Sequence, residues 1–370
     1  MKALIRMVFI AASIALAGCG GSKHITSATN VALLYLVGQG SNTIQGFHIK
    51  ASGEISSTSV PSFPTNPRPV AIALHPSTNF LYVANLAANT VSGYSVDHTS
   101  GILAPVGTAL PPVATGPSPV ALGVNSGGQF LFVLNQGDGT ISVYAIDGSR
   151  GILTQTGPPF STGLSNPQSL VVSPAAAFLY VVSGTAPSTI SVFSIAGNGA
   201  LAAAGSFTAA TASNISRITI EPKGQFLYAA DSANNNVVSL SIAGSGSLSP
   251  VAGSPFAAGT QPVAVAVDAS GTLVYVSNSG SNDVSAFKSN AGVLTQISGS
   301  PFATQGAGTV AATQPGFLIV DATNNFVYVS NVATKAVAAF AINAADGTLV
   351  SVNNSPFSQV VAPSWLVSTK

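Results

Sequence analysis

Apolar and polar positions along this chain form one pattern that returns seven times. Each repeat carries an apolar run around an aromatic residue, then small residues, then a polar turn. The aromatic anchors lie 47 to 53 residues apart at Tyr35, Tyr82, Phe132, Tyr180, Tyr228, Tyr275 and Tyr328. A fixed period of this length with strand-like content is typical of a β-propeller with one repeat per blade. The pattern therefore predicts an all-β fold, a seven-bladed β-propeller over residues 31–370 with four antiparallel strands per blade.

The second repeat shows how one blade is predicted to form. Pro69–His75 is a short apolar run, which suits an innermost strand buried on both faces. Phe80–Ala84 reads as the second strand and Thr90–Val96, with its alternating polarity, as the third. The outer strand begins at Ile102, inside a Gly-x-Leu phrase that six of the repeats share.

The two ends of the chain predict how the ring closes. The first repeat starts directly at its second strand, Val31–Val37, and has no inner strand before it. The last residues, Pro363–Lys370, align with the inner strand of the second repeat. We therefore expect the C-terminus to supply the missing inner strand of the first blade, which removes two open sheet edges.

Composition narrows the functional classes. Only 6% of the 370 residues are charged, against roughly 25% in an average soluble protein. Lys2 and Arg6 lie in an N-terminal segment that is predicted below to be a signal peptide. Without them, the chain has nine basic and ten acidic residues. No basic cluster occurs, so nucleic acid is not an expected partner. We expect one repeat domain and a monomer.

The N-terminus has the features of an export signal. Lys2 and Arg6 precede the apolar stretch Met7–Leu16, so residues 1–18 are predicted to be a signal peptide. Leu16-Ala17-Gly18-Cys19 resembles a bacterial lipobox, and Cys19 is the only cysteine. The resemblance implies that Cys19 is lipidated and anchors the chain to a membrane of the cell envelope, with residues 19–30 as the lipidated cysteine and a flexible tether. By resemblance to lipoprotein sorting in enteric bacteria, Gly20 directly after the cysteine favours the outer membrane over the inner one. The alternative is a plain signal peptide with an incidental cysteine.

One set of polar positions is predicted to surround the mouth of the central channel. These residues stand just before each inner strand, at the face of the ring called the top here. They are Arg68, Ser118, Asn166, Asn214, Gln261, Gln314 and, by the predicted closure, Ala362. Amides and hydroxyls that converge on a channel can bind hydroxyl or amide groups. The sequence therefore predicts a ligand-binding ring for a sugar, a lactone or a peptide.

Two further sets of equivalent polar positions in the repeats, called columns here, are interpreted as turn-forming residues. Asn and Asp favour turns because their side chains bond to the nearby backbone and because they tolerate the left-handed conformation. One column ends the second strands at Gly38, Asn85, Asn135, Ser183, Asp231, Asn278 and Asn331. The other ends the inner strands, at the bottom of the ring, at His75, Asn125, Ser173, Glu221, Asp268, Asp321 and Thr369.

Ionisable candidates for catalysis are few. Arg217 occupies an inner-strand position where other repeats carry alanine or serine, and Trp365 shares that column. An arginine there is costly unless it is paired or faces channel water. Arg217, Arg68 and Glu221 are the catalytic candidates, with a structural plug as the alternative for Arg217. No metal-binding or cofactor-binding motif occurs, so neither group is expected.

The repeated phrases FLYVAN, FLFVLN, LVYVSN and FVYVSN resemble the YVTN repeat. Together with the Gly-x-Leu and Ser-Pro-Phe spacing, they resemble the seven-bladed lactonase-type propellers, a group that includes 6-phosphogluconolactonases. That resemblance implies the fold over about residues 31–370. Two functions stay open: an envelope-anchored binding or scaffold propeller with its ligand at the channel mouth, or a lactonase-like hydrolase acting on a lactone in the channel.

Overall fold

A computed structural model describes residues 30–38, 40–107, 112–210, 213–305, 313–358 and 360–369. They form seven antiparallel sheets of four or five strand segments, one sheet per repeat, so the predicted seven-bladed propeller is confirmed. The predicted signal peptide, Cys19 and nearly all of the tether lie outside the described residues. Within the described ranges, no helix is long and apolar enough to cross a membrane.

The inner strands surround the central channel. They are β4 (Pro69–Leu74), β9 (Pro119–Val124), β14 (Pro167–Val172), β18 (Ile215–Ile220), β23 (Pro262–Val267), β28 (Pro315–Val320) and β32 (Pro363–Ser368). Six of the seven begin at a proline, which suits the first residue of a strand because it has no N–H to donate. The pairing register shifts just after the first residue of each strand, so every blade carries a bulge at the top of the channel.

The second and third strands form the middle of each blade, and the second strands are almost entirely buried. The second strands are β1 (Asn30–Gly38), β5 (Phe80–Asn85), β10 (Phe130–Asn135), β15 (Phe178–Ser183), β19 (Phe226–Asp231), β24 (Leu273–Asn278) and β29 (Phe326–Asn331). The third strands are β2 (Thr43–Lys50), β6 (Thr90–Val96), β11 (Thr140–Ile146), β16 (Thr189–Ile195), β20 (Asn236–Ile242), β25 (Asp283–Asn290) and β30 (Ala336–Ile342). Apolar side chains of adjacent sheets interdigitate, which places the core between blades.

The outer strands are shorter and more irregular. Continuous outer strands are β3 (Ile55–Pro64) and β17 (Leu201–Thr208), whereas β31 (Leu349–Ser351) is short and is followed by an isolated bridge between Phe357 and Val337. In four blades the outer strand is split into two segments: β7 (Leu103–Pro105) with β8 (Val113–Ala114), β12 (Leu153–Gln155) with β13 (Phe160–Ser161), β21 (Leu248–Pro250) with β22 (Phe256–Ala257), and β26 (Val293–Gln296) with β27 (Phe302–Ala303).

The predicted closure of the ring is confirmed. β32 pairs antiparallel with β1, which joins Tyr35 to Val367, Leu36 to Leu366 and Val37 to Trp365. β32 also contacts β28 on one side and β4 on the other. The last strand of the chain therefore completes the first blade and leaves no gap between inner strands.

Five of the seven anchor aromatics tie one blade to the next through a tyrosine hydroxyl. Tyr82 Oη donates to the Gly151 carbonyl at 3.0 Å, and Tyr35, Tyr180, Tyr275 and Tyr328 make the same bond to equivalent glycines. Each of these glycines has a positive φ and lies against a side chain of the preceding blade. The aromatic phrase and the Gly-x-Leu phrase are thus two halves of one contact between blades.

Candidate functional site

The channel is closed by three large side chains from one register column. Arg217 on β18 pairs with Ala230, and Trp365 on β32 pairs with Val37, at the same distance from the bulge of each strand. Phe317 on β28 belongs to this column as well. Four other blades carry small buried residues there: Ala71, Ala121, Ser169 and Ala264. Ala71, Ala121 and Ser169 lie on three consecutive blades across the channel from the large residues and leave room for them, whereas Ala264 lies between Arg217 and Phe317.

The three side chains form a stack, which is called the plug below. The Phe317 and Trp365 rings lie 4.4 Å apart between centroids at an interplanar angle of 24°. The Arg217 Cζ atom lies 3.9 Å from the Trp365 centroid and 5.3 Å from that of Phe317. Trp365 also contacts the apolar clusters of the first four blades, so it spans the channel. A guanidinium over aromatic faces is favourable, more so where water is excluded.

Among the described residues, the Arg217 charge has no counter-charge. Its Nη1 atom is buried and has no hydrogen-bond partner. The ion pairs found among the described residues are Lys50–Glu54 and Arg150–Asp147, neither of which involves Arg217. Burial lowers the pKa of the Arg217 guanidinium from its usual 12.5 to about 10, which leaves it protonated at neutral pH. The plug therefore holds an unpaired positive charge.

A cavity of about 410 Å³ opens at the top of the channel, above the plug. This volume is within the range of small-molecule sites. We call it the channel-mouth cavity; its lining consists of Gln168, Ser216, Arg217, Val263, Gly316, Val332, Ala362 and Ser364. Five of the eight are the bulged residues at the starts of β14, β18, β23, β28 and β32. The bulge is thus the local feature that turns polar side chains toward the channel.

Two hydroxyls in the wall are oriented by the backbone. Ser216 Oγ donates to the Val263 carbonyl at 3.0 Å, and Ser364 Oγ donates to the Val37 carbonyl at 3.1 Å. Because each hydroxyl hydrogen is engaged, each oxygen keeps lone pairs that can accept a hydrogen bond from a ligand. Val263, Val332 and Ala362 supply apolar wall, so the cavity combines one cation, hydroxyl acceptors, an amide and an apolar side.

The predicted ligand ring lies beside this cavity, in the turns that enter the inner strands. Of that ring, only Ala362 lines the channel-mouth cavity. Asn214, Gln261 and Gln314 line two shallower cavities that continue along the rim. Positive φ values occur at Arg68, Ser118, Asn166, Gln261 and Gln314. The residues at the channel mouth are those two positions further along each repeat.

The ring residues have a structural role that the sequence did not indicate. In four of the ring residues, the backbone N–H donates a hydrogen bond to the side-chain oxygen of an asparagine in the preceding blade. The pairs are Arg68 with Asn42 (3.0 Å), Ser118 with Asn89 (2.8 Å), Gln261 with Asn235 (2.8 Å) and Gln314 with Asn282 (2.9 Å). Their backbone is therefore part of the contact between blades. The side chains of the ring are exposed, apart from those of Ser118 and Ala362, which are half-buried.

Glu221 is not brought to Arg217. The two residues are four positions apart on and just after β18, which separates them by about 13 Å along the strand. Both Glu221 carboxylate oxygens are engaged in the bottom turn, accepting N–H bonds from Lys223 at 2.7 Å and from Gln225 at 2.6 Å. Asn125, Ser173, Asp268 and Asp321 accept backbone N–H bonds in the equivalent turns, in agreement with the turn interpretation of this column.

Phe317 is the plug residue that sequence reasoning missed. It follows Pro315 by two positions, as Trp365 follows Pro363. Aligning the two prolines would have placed both rings in the Arg217 column. As for metals, no group of three His, Cys, Asp or Glu side chains able to hold an ion occurs in the part of the chain that the structure describes.

Comparisons with known proteins agree with this architecture. The family model "Lactonase, 7-bladed beta-propeller" matches residues 6–163, 159–249 and 202–312. No curated protein sequence matches the chain. Phe317 and Trp365 lie beyond the matched stretches, so the aromatic half of the plug falls outside what the family model covers.

Three solved structures show the same fold at low identity. A putative 6-phosphogluconolactonase from Bacteroides uniformis has a TM-score of 0.78 at 17% identity, covering 92% of this chain and 100% of that one. A periplasmic gluconolactonase from Pseudomonas aeruginosa has a TM-score of 0.77 at 20% identity, with 92% and 99% covered. A protein from Lactobacillus plantarum has a TM-score of 0.77 at 19% identity, with 92% and 100% covered.

Proposed function

Because the chain belongs to the family of seven-bladed lactonase β-propellers, we propose that it is a binding member of that family, which holds a small polar ligand in the channel-mouth cavity without hydrolysing it. The observation that carries this proposal is the lining of the cavity. Arg217 is the one ionisable side chain among its eight lining residues. The lining therefore offers a cation for binding and no carboxylate or imidazole beside it.

Hydrolysis of a lactone requires catalytic groups in the site that binding alone does not require. A water molecule must lose a proton to a base as it attacks the carbonyl, and the resulting oxyanion must be stabilised. Arg217 is suited to the second task. The first needs a base within hydrogen-bond reach of the attacking water, and Glu221 is committed to its own turn at the other end of the strand. Gln168, Ser216 and Ser364 supply hydrogen-bonding groups without basicity.

A bulky substitution in the cavity tests where the ligand binds. Val263 lines the cavity, so Val263→Trp should fill it, whereas Val350→Trp, 62% exposed on β31, is the matched control. The probes are a panel of monosaccharides, hydroxy acids, lactones and short peptides, scored by the rise in melting temperature that each produces. We expect at least one probe to stabilise wild type and Val350→Trp by several degrees and to leave Val263→Trp unchanged. A panel that stabilises no variant, or a shift that survives Val263→Trp, would contradict the proposal.

The second candidate function is lactone hydrolysis, and membership of the family favours it. The neighbours from Bacteroides uniformis and Pseudomonas aeruginosa carry the names of lactonases. In this alternative the Arg217 guanidinium stabilises the oxyanion that forms when water attacks the lactone carbonyl. A rate of lactone hydrolysis that is higher with the protein than in buffer alone would support this alternative over the binding proposal.

The cellular location is also a proposal, carried by Leu16–Cys19. We infer that Cys19 is lipidated and that the propeller is anchored in the cell envelope, on the outer membrane rather than the inner one. Cys19→Ser should leave most of the protein unprocessed or shifted out of the membrane fraction, as measured by fractionation and by the mass of the mature N-terminus. Processing and distribution like those of wild type would exclude the lipid anchor. The binding domain itself should be unaffected by this substitution.

A further inference from the structure

We propose that the ligand of the channel-mouth cavity is a small hydroxylated monocarboxylate, whose carboxylate binds the Arg217 guanidinium. This inference rests on the proposed function and adds the chemical class of the ligand. The starting observation is the unpaired charge at the bottom of the cavity. Arg217 Nη1 is buried without a partner, and neither ion pair of the described residues involves this side chain.

An unpaired buried cation is costly in a folded protein, and removing its partner from a buried pair is strongly destabilising. Most buried charges are therefore paired within the chain. Here the aromatic rings offset part of the cost, but they supply no lone pair to the guanidinium N–H groups. Nη1 itself has almost no accessible surface, whereas the Arg217 side chain as a whole is half-buried and lines the cavity. A ligand anion in the cavity would supply the missing charge and acceptors for the accessible N–H groups.

The geometry of the plug favours a planar, forked acceptor. Trp365 at 3.9 Å and Phe317 at 5.3 Å fix the guanidinium, so its orientation is set before a ligand arrives. A guanidinium presents parallel N–H groups that match the two oxygens of a carboxylate. Since the donors are already oriented, little side-chain entropy is lost on binding.

The charge count of the cavity separates a monocarboxylate from a phosphate monoester. Arg217 supplies one positive charge, and the other seven lining residues are neutral. A carboxylate would leave the occupied cavity neutral. A phosphate near its dianionic form would leave about one negative charge uncompensated in a site with an apolar wall, which is unfavourable.

The remaining polar groups indicate that the ligand carries hydroxyls. Ser216 and Ser364 have committed their hydroxyl hydrogens to backbone carbonyls and can accept from ligand O–H groups. The Gln168 amide, which can both donate and accept, lies in the same wall. A carboxylate with hydroxyls further along its chain uses both parts of the cavity.

Three six-carbon probes that differ in one group test this inference: D-glucitol, D-gluconate and D-glucitol 6-phosphate. Their binding to residues 30–370 is measured by calorimetry for wild type, Arg217→Gln, Arg217→Lys and the exposed-arginine control Arg150→Gln. We expect wild type to bind gluconate at least tenfold more tightly than glucitol, and more tightly than the phosphate. Arg217→Gln should lose this preference, Arg217→Lys should keep part of it, and Arg150→Gln should match wild type. Melting curves of every variant confirm that it is folded, and Arg217→Lys keeps the test decisive if Arg217→Gln fails to fold.

The outcomes separate this inference from the proposed function. Equal binding of glucitol and gluconate overturns the inference, while the Val263→Trp test can still support a binding cavity. Tighter binding of the phosphate, or a gluconate preference that survives Arg217→Gln, also overturns it. If none of the three probes binds wild type, the monocarboxylate assignment is wrong, and the wider panel with Val263→Trp decides whether the cavity binds a different class of ligand.

Discussion

Deletion of residues 363–370 should abolish the cooperative thermal transition of the propeller or lower its melting temperature by at least about 10 °C. These residues form the inner strand of the first blade, where Leu366 is fully buried and Trp365 spans the channel. Burying one large apolar side chain contributes about 1.5–3 kcal/mol. The strand also supplies a row of backbone hydrogen bonds, so its loss is comparable with a typical total stability of about 5–15 kcal/mol.

The control for this deletion is removal of residues 22–29 from the predicted tether, which should leave the melting temperature unchanged. A synthetic peptide with the sequence of residues 363–370, added to the truncated chain, should restore part of the stability. A truncated chain that melts like wild type would show that the ring does not depend on this strand.

Gly151→Ala should destabilise the fold by about 2–5 kcal/mol, although it adds one methyl group. Gly151 has a φ of +70°, which costs other residues about 1–2 kcal/mol. An added Cβ would lie 2.4 Å from the Phe80 ring of the preceding blade, and overpacking of this kind costs about 1–3 kcal/mol. Movement of the turn would also strain the bond from Tyr82 Oη to the Gly151 carbonyl, 3.0 Å long.

Gly148→Ala is the matched control for this substitution. Gly148 lies in the same turn, but a Cβ there would meet nothing within 4 Å. Denaturant unfolding of the two variants should show a large loss of stability for Gly151→Ala and a change within about 0.5 kcal/mol for Gly148→Ala. Equal stabilities of the two variants would show that the contact of Gly151 with the preceding blade does not stabilise the fold.

The architecture could be predicted because it repeats. The spacing of Tyr35, Tyr82 and the later anchors reports the number of blades, and the surplus strand at one end with the missing strand at the other reports the closure. Both signals depend on apolar periodicity, which local sequence retains. The structure adds their physical cause: the anchor hydroxyls and the Gly-x-Leu carbonyls bond one another across blades.

The lining of the channel-mouth cavity could be predicted only in part, because a bulge changes which side chains face the channel. Counting back from each inner strand selected Asn166, Asn214 and Gln261, whose side chains are exposed in the turns. The extra residue at the bulge directs Gln168, Ser216 and Val263 to the channel instead. Bulges leave little trace in a hydrophobic pattern, since one inserted residue alters neither the period of the blade nor its apolar run. Arg217 was identified because its charge departs from the alanines of its column.

The stacking of the three plug side chains could not be predicted without knowing the fold. Arg217, Phe317 and Trp365 lie on three different blades, and sequence separation gives no indication that their side chains stack. Trp365 and Phe317 lie beyond the stretches that match the family model. The aromatic half of the plug is therefore built by the last blade and the closing strand.

The rate of lactone opening tests the central claim most directly. D-Glucono-δ-lactone and a panel of related lactones are incubated with residues 30–370 of wild type and of Arg217→Ala, and acid release is followed against a buffer blank at constant pH. A binding propeller without a base in its cavity should leave the rate at the blank value for both proteins. Acceleration by wild type that disappears in folded Arg217→Ala would contradict the account and establish a hydrolase with Arg217 in its active site.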